Sequence, residues 1–237
     1  KQLQIWARTI IINENEYSIT LDEIDLSLLV ELMNSAFFEI QEDKDVFAAE
    51  DWVCDGIIVA ACFPEATHWR NSALDLSQLP GLKVLWISKS RLTKLDVSNN
   101  PELDYLWVDD SQLTQLDVLH NPKLTRMMVG RNQLTELDVS NNSKLINLEV
   151  FGNQLTELDV SHNLELNTLW ADHNQLAELD VLNILELENL GVAFNHLTKL
   201  DVSNNLGLGK LRLSDNLLTE LDVSNNSKLI ILEIYKN

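Results

Sequence analysis

Tryptophan stands at positions 86, 107 and 170, and the 21-residue steps between the last two fall on Met128 and Glu149. Tyr105 and Arg126 lie two places before Trp107 and Met128, and Phe151 lies two places after Glu149. Indole, phenol and guanidinium groups seldom make or break bonds, but they dominate the energetics of surfaces that exclude water. The chemistry in prospect is recognition, with Trp86, Tyr105, Trp107, Arg126, Met128, Glu149, Phe151 and Trp170 as candidate ligand-binding residues. Catalysis has no comparable support. His68, His120, His162, His173 and His196 are scattered, and no zinc-protease, phosphate-loop, dinucleotide or nucleophile-elbow motif occurs. Neither an enzymatic role nor a cofactor is expected.

A second column is acidic: Asp75, Asp96, Asp117, Asp138, Asp159, Asp180, Asp201 and Asp222. Like charges on adjacent strands, about 4.8 Å apart, repel by on the order of 1 kcal/mol in water. Donors from Thr93, Ser98 and their equivalents would offset that repulsion. Calcium favours stacked carboxylates but also needs convergent carbonyls and glycine-rich turns, which this column lacks. The column is expected to be a hydrogen-bonded ladder, and no metal site is assigned.

Both columns depend on a repeat. One unit reads Leu92-Thr-Lys-Leu95-Asp96-Val97-Ser-Asn-Asn100-Pro-Glu-Leu103-Asp-Tyr-Leu106-Trp107-Val108 and onward to Gln112, with further units from Leu113, Leu134, Leu155, Leu176, Leu197 and Leu218 and a degenerate one from Asn71. A period in the twenties implies a solenoid, because each unit buries its apolar face only by stacking on its neighbours. Alternation at Leu148-Glu149-Val150 predicts a short strand with Glu149 outward. Asn132, Asn153, Asn174, Asn195, Asn216 and Asn237 form a column at the following bend, where an amide can both donate to and accept from buried backbone. Ser90 and Ser111 replace it in two units expected to be less regular. Leu92, Leu95, Val97 and Asn100 echo the second half of the unit, which predicts a strand on each side of the coil. Tyr105, Arg126, Asn147 and Lys210 flank the tryptophan column on one side, and Asp109, Arg131, Phe151, Asp172, His173, Phe194 and Tyr235 on the other. Lys210, Gly191 and Arg212 mark a more polar second half, read as a specificity rim.

These units resemble bacterial leucine-rich repeats of the nested 21-residue type, sometimes called IRREKO, and especially the L-T-x-L-D-V-S-x-N forms of Bacteroidetes surface proteins. More distantly they are similar to internalins. The resemblance spans residues 71–237. It departs at the outward strand place, often small or Cys in such repeats and often Trp here. It implies an α/β fold leaning to β: a right-handed leucine-rich-repeat solenoid with short parallel strands on two sides and a mainly helical N-terminal cap. It further implies a secreted or surface-exposed bacterial protein, acting in adhesion or virulence, whose concave face binds a protein of a host or neighbouring cell. Two alternatives stay open: an intracellular immunity or inhibitor protein steered onto a cationic enzyme, and a carbohydrate-binding surface protein.

The net charge of −20 argues against a nucleic-acid partner. No apolar run reaches the length of a membrane span, and no secretory signal is read. Oligomeric state is not legible. Residues 1–70 are expected to form the cap and 71–237 the solenoid. Within the cap, a hairpin is expected from Gln2–Ile12 and Tyr17–Thr20, a helix from Leu21 to Ile40, and a second from Ala48 to Phe63. That second helix would hold Cys54 and Cys62 about 12 Å apart, too far to bridge.

Overall fold

The computed structural model describes residues 76, 77 and 79–237 in full and, of the first 75, the backbone of five strands. These are β1 (Thr9–Ile12), β2 (Asn15–Ser18), β3 (Glu50–Cys54), β4 (Ile57–Phe63) and β5 (Ala73–Leu74). Then follow β6 (Val84–Ser88), β7 (Lys94–Leu95), β8 (Tyr105–Asp109), β9 (Arg126–Met128) and β10 (Asn147–Glu149). The last four are β11 (Thr168–Trp170), β12 (Asn189–Gly191), β13 (Lys210–Arg212) and β14 (Ile231–Glu233). There is no helix among the described residues.

One sheet runs β14-β13-β12-β11-β10-β9-β8-β6-β4-β3, parallel throughout except for the β3–β4 hairpin at its end. Strand partners stand one repeat apart, as in Glu149 beside Trp170. The core is the stack of inward residues: Leu85, Leu106, Met127, Leu148, Leu169, Leu190 and Leu211 are all fully buried, as are the Val97, Val118 and Val139 of the opposite side. Each such leucine contributes roughly 1.5–3 kcal/mol relative to exposure, and only the neighbouring turns exclude water from it.

Two asparagine columns hold the turns. Asn153 donates from Nδ2 to the carbonyls of Val129 and Val150, and its Oδ1 accepts the N–H of Leu134. Asn132, Asn174, Asn195 and Asn216 repeat the pattern, so the amide acts as both donor and acceptor, as expected. On the other side Asn100, Asn121, Asn142, Asn163, Asn205 and Asn226 each donate to two carbonyls of the preceding turn. Ser90 and Ser111 bond to one another at 2.6 Å, in the turns that carry the five-residue strands β6 and β8.

The fold departs from expectation in two places. Among the described residues, strands on the second side are confined to the β5–β7 pair and an Asp96–Asp117 bridge. Along the column from Asp96 to Asp222 the aspartate accepts the N–H two residues on, as Asp96 does from Ser98, Asp117 from Leu119, Asp138 from Ser140 and Asp180 from Leu182, a local bond that turns the chain and keeps this side short. In addition, the segment read as a helix from Ala48 to Phe63 is the β3–β4 hairpin. Asp55-Gly56 joins Trp52-Val53 to Ile57-Ile58-Val59, aromatic and β-branched residues that favour strands, a strong hairpin signal that outweighs helical periodicity. Cys54 pairs with Ile57 and Cys62 with Glu50, so the cysteine backbones lie about five strand steps apart, on the order of 16 Å, and a bridge is excluded on this geometry instead. The β1–β2 hairpin is antiparallel as expected, and the Leu21–Ile40 helix lies outside the described residues.

Candidate binding face

The outward positions of the long sheet bring all eight candidate residues onto one face, but in two different states. Trp86 and Trp107 stack with centroids 4.9 Å apart, Tyr105 tilts against Trp107 at 6.4 Å, and Tyr105 Oη lies 3.2 Å from Met128 Sδ. Trp86, Tyr105 and Trp107 are only 6, 4 and 8 % exposed. Burial pushes the Tyr105 phenol up to about 12. The expected exposed stripe therefore does not run through Trp86, Tyr105 and Trp107, which are buried. Arg126, Met128, Glu149, Phe151 and Trp170 are half-buried and reachable.

The open part of the face centres on Trp170. Its six-membered ring lies across Gly191 of the next strand, where a Cβ would come within 2.2 Å of Trp170 Cε3. Phe151 covers Gly130 in the same way, at 2.6 Å. Aromatics laid over strand glycines recover packing that the glycine cannot supply, so these rings lie flat on the sheet. Arg131 sits 5.0 Å over the Phe151 ring, and Lys210 and Arg212 sit 5.0 and 6.0 Å from Trp170. Glu149, Phe151, Trp170, Asp172, His173, Phe194, Lys210 and Arg212 line a depression of about 470 Å³. Gly191, Lys210 and Arg212 thus belong with the aromatics and do not form a separate polar rim.

Backbone geometry adds residues that strand alternation underweights. The position after each strand is left-handed, with φ near +50° at Lys89, Asp110, Arg131, His173, Phe194, Asp215 and Lys236, and only Gly152 supplies a glycine there. A left-handed backbone costs an L-residue on the order of 1 kcal/mol, and a bulky ring in this region is unusual. His173 and Phe194 nevertheless occupy adjacent turns and stack at 4.1 Å with planes 8° apart, Phe194 remaining 40 % exposed. The signal in the sequence is a pair of rings, His173 and Phe194, one repeat apart at the place where the other units carry Lys, Asp, Arg or Gly.

Charge on the face is mostly paired. Arg131 meets Asp110 at 2.6 Å and Asp109 at 3.7 Å, and Arg212 meets Glu233 at 3.0 Å and Asp172 at 3.9 Å. Asp172 also accepts the Ala193 N–H at 3.0 Å. Burial raises the carboxyls of Asp109, Glu149 and Asp172 above their usual range. The aspartate column on the other side behaves oppositely. Asp96, Asp138, Asp159, Asp201 and Asp222 are held below the usual range by hydroxyl and backbone bonds from the serine two residues on. No group of His, Cys, Asp and Glu suited to a metal ion occurs among the described residues, nor any helix long and apolar enough to cross a membrane.

No family model matches the chain, and no curated protein does. Solved structures do. The functional domain of InlJ from Listeria monocytogenes, which includes a cysteine ladder, is 33% identical over 73% of this chain and 47% of that one, with a TM-score of 0.56. YopM from Yersinia enterocolitica is 31% identical over 70% of this chain and 35% of its own, with a TM-score of 0.61. An internalin, InlF of Listeria monocytogenes, is 19% identical over 67% and 56%, with a TM-score of 0.60, a likeness of fold alone. This chain spans about half the length of the InlJ domain. A parallel-strand solenoid with turns of about 21 residues, similar to these bacterial proteins, has the leucine-rich-repeat fold.

Proposed function

We propose that this chain is a non-enzymatic, protein-binding part of a bacterial leucine-rich-repeat protein, secreted or exposed at the cell surface. It engages a protein of a host or neighbouring cell through the outward side of its strand sheet, the concave face of the solenoid. Arg126, Met128, Glu149, Phe151 and Trp170 make the contact, with His173 and Phe194 beside them. Trp86, Tyr105 and Trp107 act as a rigid backing, and residues 1–70 as the cap. The observation that carries this reading is the set of flat aromatic rings around one depression, two of whose lining residues sit on a left-handed backbone that glycine would adopt more cheaply. A preformed surface of this kind loses little ordering entropy on binding.

The test compares wild type with a Phe151→Ala/Trp170→Ala/Phe194→Ala variant as bait against host serum and bacterial lysate, with captured proteins identified by mass spectrometry. A protein retained by wild type and lost by a folded variant supports the reading. Equal capture by both moves the site to the aspartate side or to residues 1–70.

A further inference from the structure

Six carboxylates stand on the strands of the long sheet, or on the turns at their ends, from β6 onward: Asp109, Asp110, Glu149, Asp172, Asp215 and Glu233. Five have a cation within 4 Å, since Lys236 meets Asp215 at 3.6 Å and the arginines serve the other four. Glu149 has none among the described residues and makes no side-chain hydrogen bond there. It sits at the centre of the reachable face, in register with Met128 on one side and Trp170 on the other, two residues before Phe151. A half-buried carboxylate bordered by a thioether and two aromatic rings has lost much of its water and gained nothing in exchange.

We propose that Glu149 is the receptor for a basic side chain, an arginine on a loop of the partner protein, seated between Met128, Phe151 and Trp170. This rests on the reading of the strand face as a protein-binding surface. Arginine fits better than lysine because a guanidinium can lie flat on Trp170 or Phe151 while making two hydrogen bonds to the carboxylate. The chain already places its own cations on these rings, Arg131 over Phe151 and Lys210 and Arg212 over Trp170, so the rings accept cations and an arriving guanidinium would share them with these mobile side chains. Arg212 is neutralised by Glu233 and Asp172, and Lys210 holds its ammonium 5.0 Å over Trp170 without an ion pair to Glu149. The net charge of −20 draws a basic partner toward the surface.

The probe is N-acetyl-arginine amide, titrated into the full chain against its neutral isostere N-acetyl-citrulline amide and followed by the indole N–H resonance of Trp170. The expected result is a saturable shift with the arginine derivative, and affinity at least tenfold lower both for the citrulline derivative and for Glu149→Gln. Glu149→Asp, which keeps the charge, should recover part of the loss. Equal affinity for the two derivatives, an unchanged affinity in Glu149→Gln, or no saturable shift in wild type overturns the proposal. Should a captured protein partner depend on Trp170 yet bind Glu149→Gln as tightly as wild type, the receptor falls and the binding face stands. Saturable binding of the arginine derivative without any protein held by the strand face has the opposite meaning: the receptor stands and the protein-binding face falls.

Discussion

Trp107 and Trp170 occupy the same column of the repeat, three turns apart, and end in opposite states. Trp107 stacks on Trp86, touches Tyr105 and is 8 % exposed, whereas Trp170 lies half-buried over Gly191 with Lys210 and Arg212 over its ring. In a solenoid the neighbour of an outward residue is its counterpart 21 residues away, so a column is read pairwise. Large beside large closes the surface, and large beside glycine leaves a flat ring open to a partner.

That contrast can be broken most directly by removing each indole. Trp107→Ala should cost about 3–5 kcal/mol, the usual range for emptying a buried tryptophan site, seen as a large fall in melting temperature. Trp170→Ala should cost only about 1–2 kcal/mol, its main effect being loss of partner binding. Similar destabilisation by both substitutions would show that Trp170 is a packing residue.

A second experiment sharpens the role of the glycine. Gly191→Ala puts a methyl group within 2.2 Å of Trp170 Cε3 and 2.6 Å of Asp172 Oδ2. It should cost about 1–3 kcal/mol as overpacking and shift the Trp170 emission toward that of solvent-exposed indole. Gly209→Ala, whose added Cβ meets nothing closer than 3.8 Å, is the matched control and should stay within about 0.5 kcal/mol. Equal melting temperatures for the two variants would sever the Trp170–Gly191 link.

The smallest effect separates the two sides of the coil by pH. Burial raises the carboxyls of Asp109, Glu149 and Asp172, so their cost to the fold is complete above the folded pKa values. It is relieved as pH falls through those values and is gone below the unfolded values of 3.8 for Asp and 4.5 for Glu. The serine-bonded Asp96, Asp138, Asp159, Asp201 and Asp222 are depressed. They contribute stability that is complete above the unfolded value of 3.8 and is lost as pH falls through the lower folded values. Melting temperature should therefore rise modestly from neutral pH into the mildly acidic range and fall below about pH 4. Glu149→Gln should flatten the rise and leave the acid-side fall unchanged, and a rise of undiminished size in that variant would show that Glu149 is not desolvated.

The repeat itself was legible in the chain. Leucine and valine recur at fixed places because each turn offers the next the same inward slot, and asparagine recurs because every bend leaves the same carbonyls to satisfy. The aspartate ladder was legible for a similar reason, its serine donor standing two residues away. The β3–β4 hairpin was readable from Asp55-Gly56, but an apolar run of that length suits a helix as well. The state of the outward face was not legible, because alternation says which way a residue points and nothing about what stands beside it.

What the sequence determined by itself is therefore the periodic part: the solenoid, the inward core, the polar ladders and the side on which the aromatics lie. These follow from contacts that repeat every turn, so local pattern and tertiary contact carry the same information. Only the tertiary structure decided which aromatics are open, which carboxylate lacks a cation and which left-handed positions hold rings. Those properties belong to pairs of residues on adjacent turns and to the water the pair excludes, and a single column of the sequence contains neither.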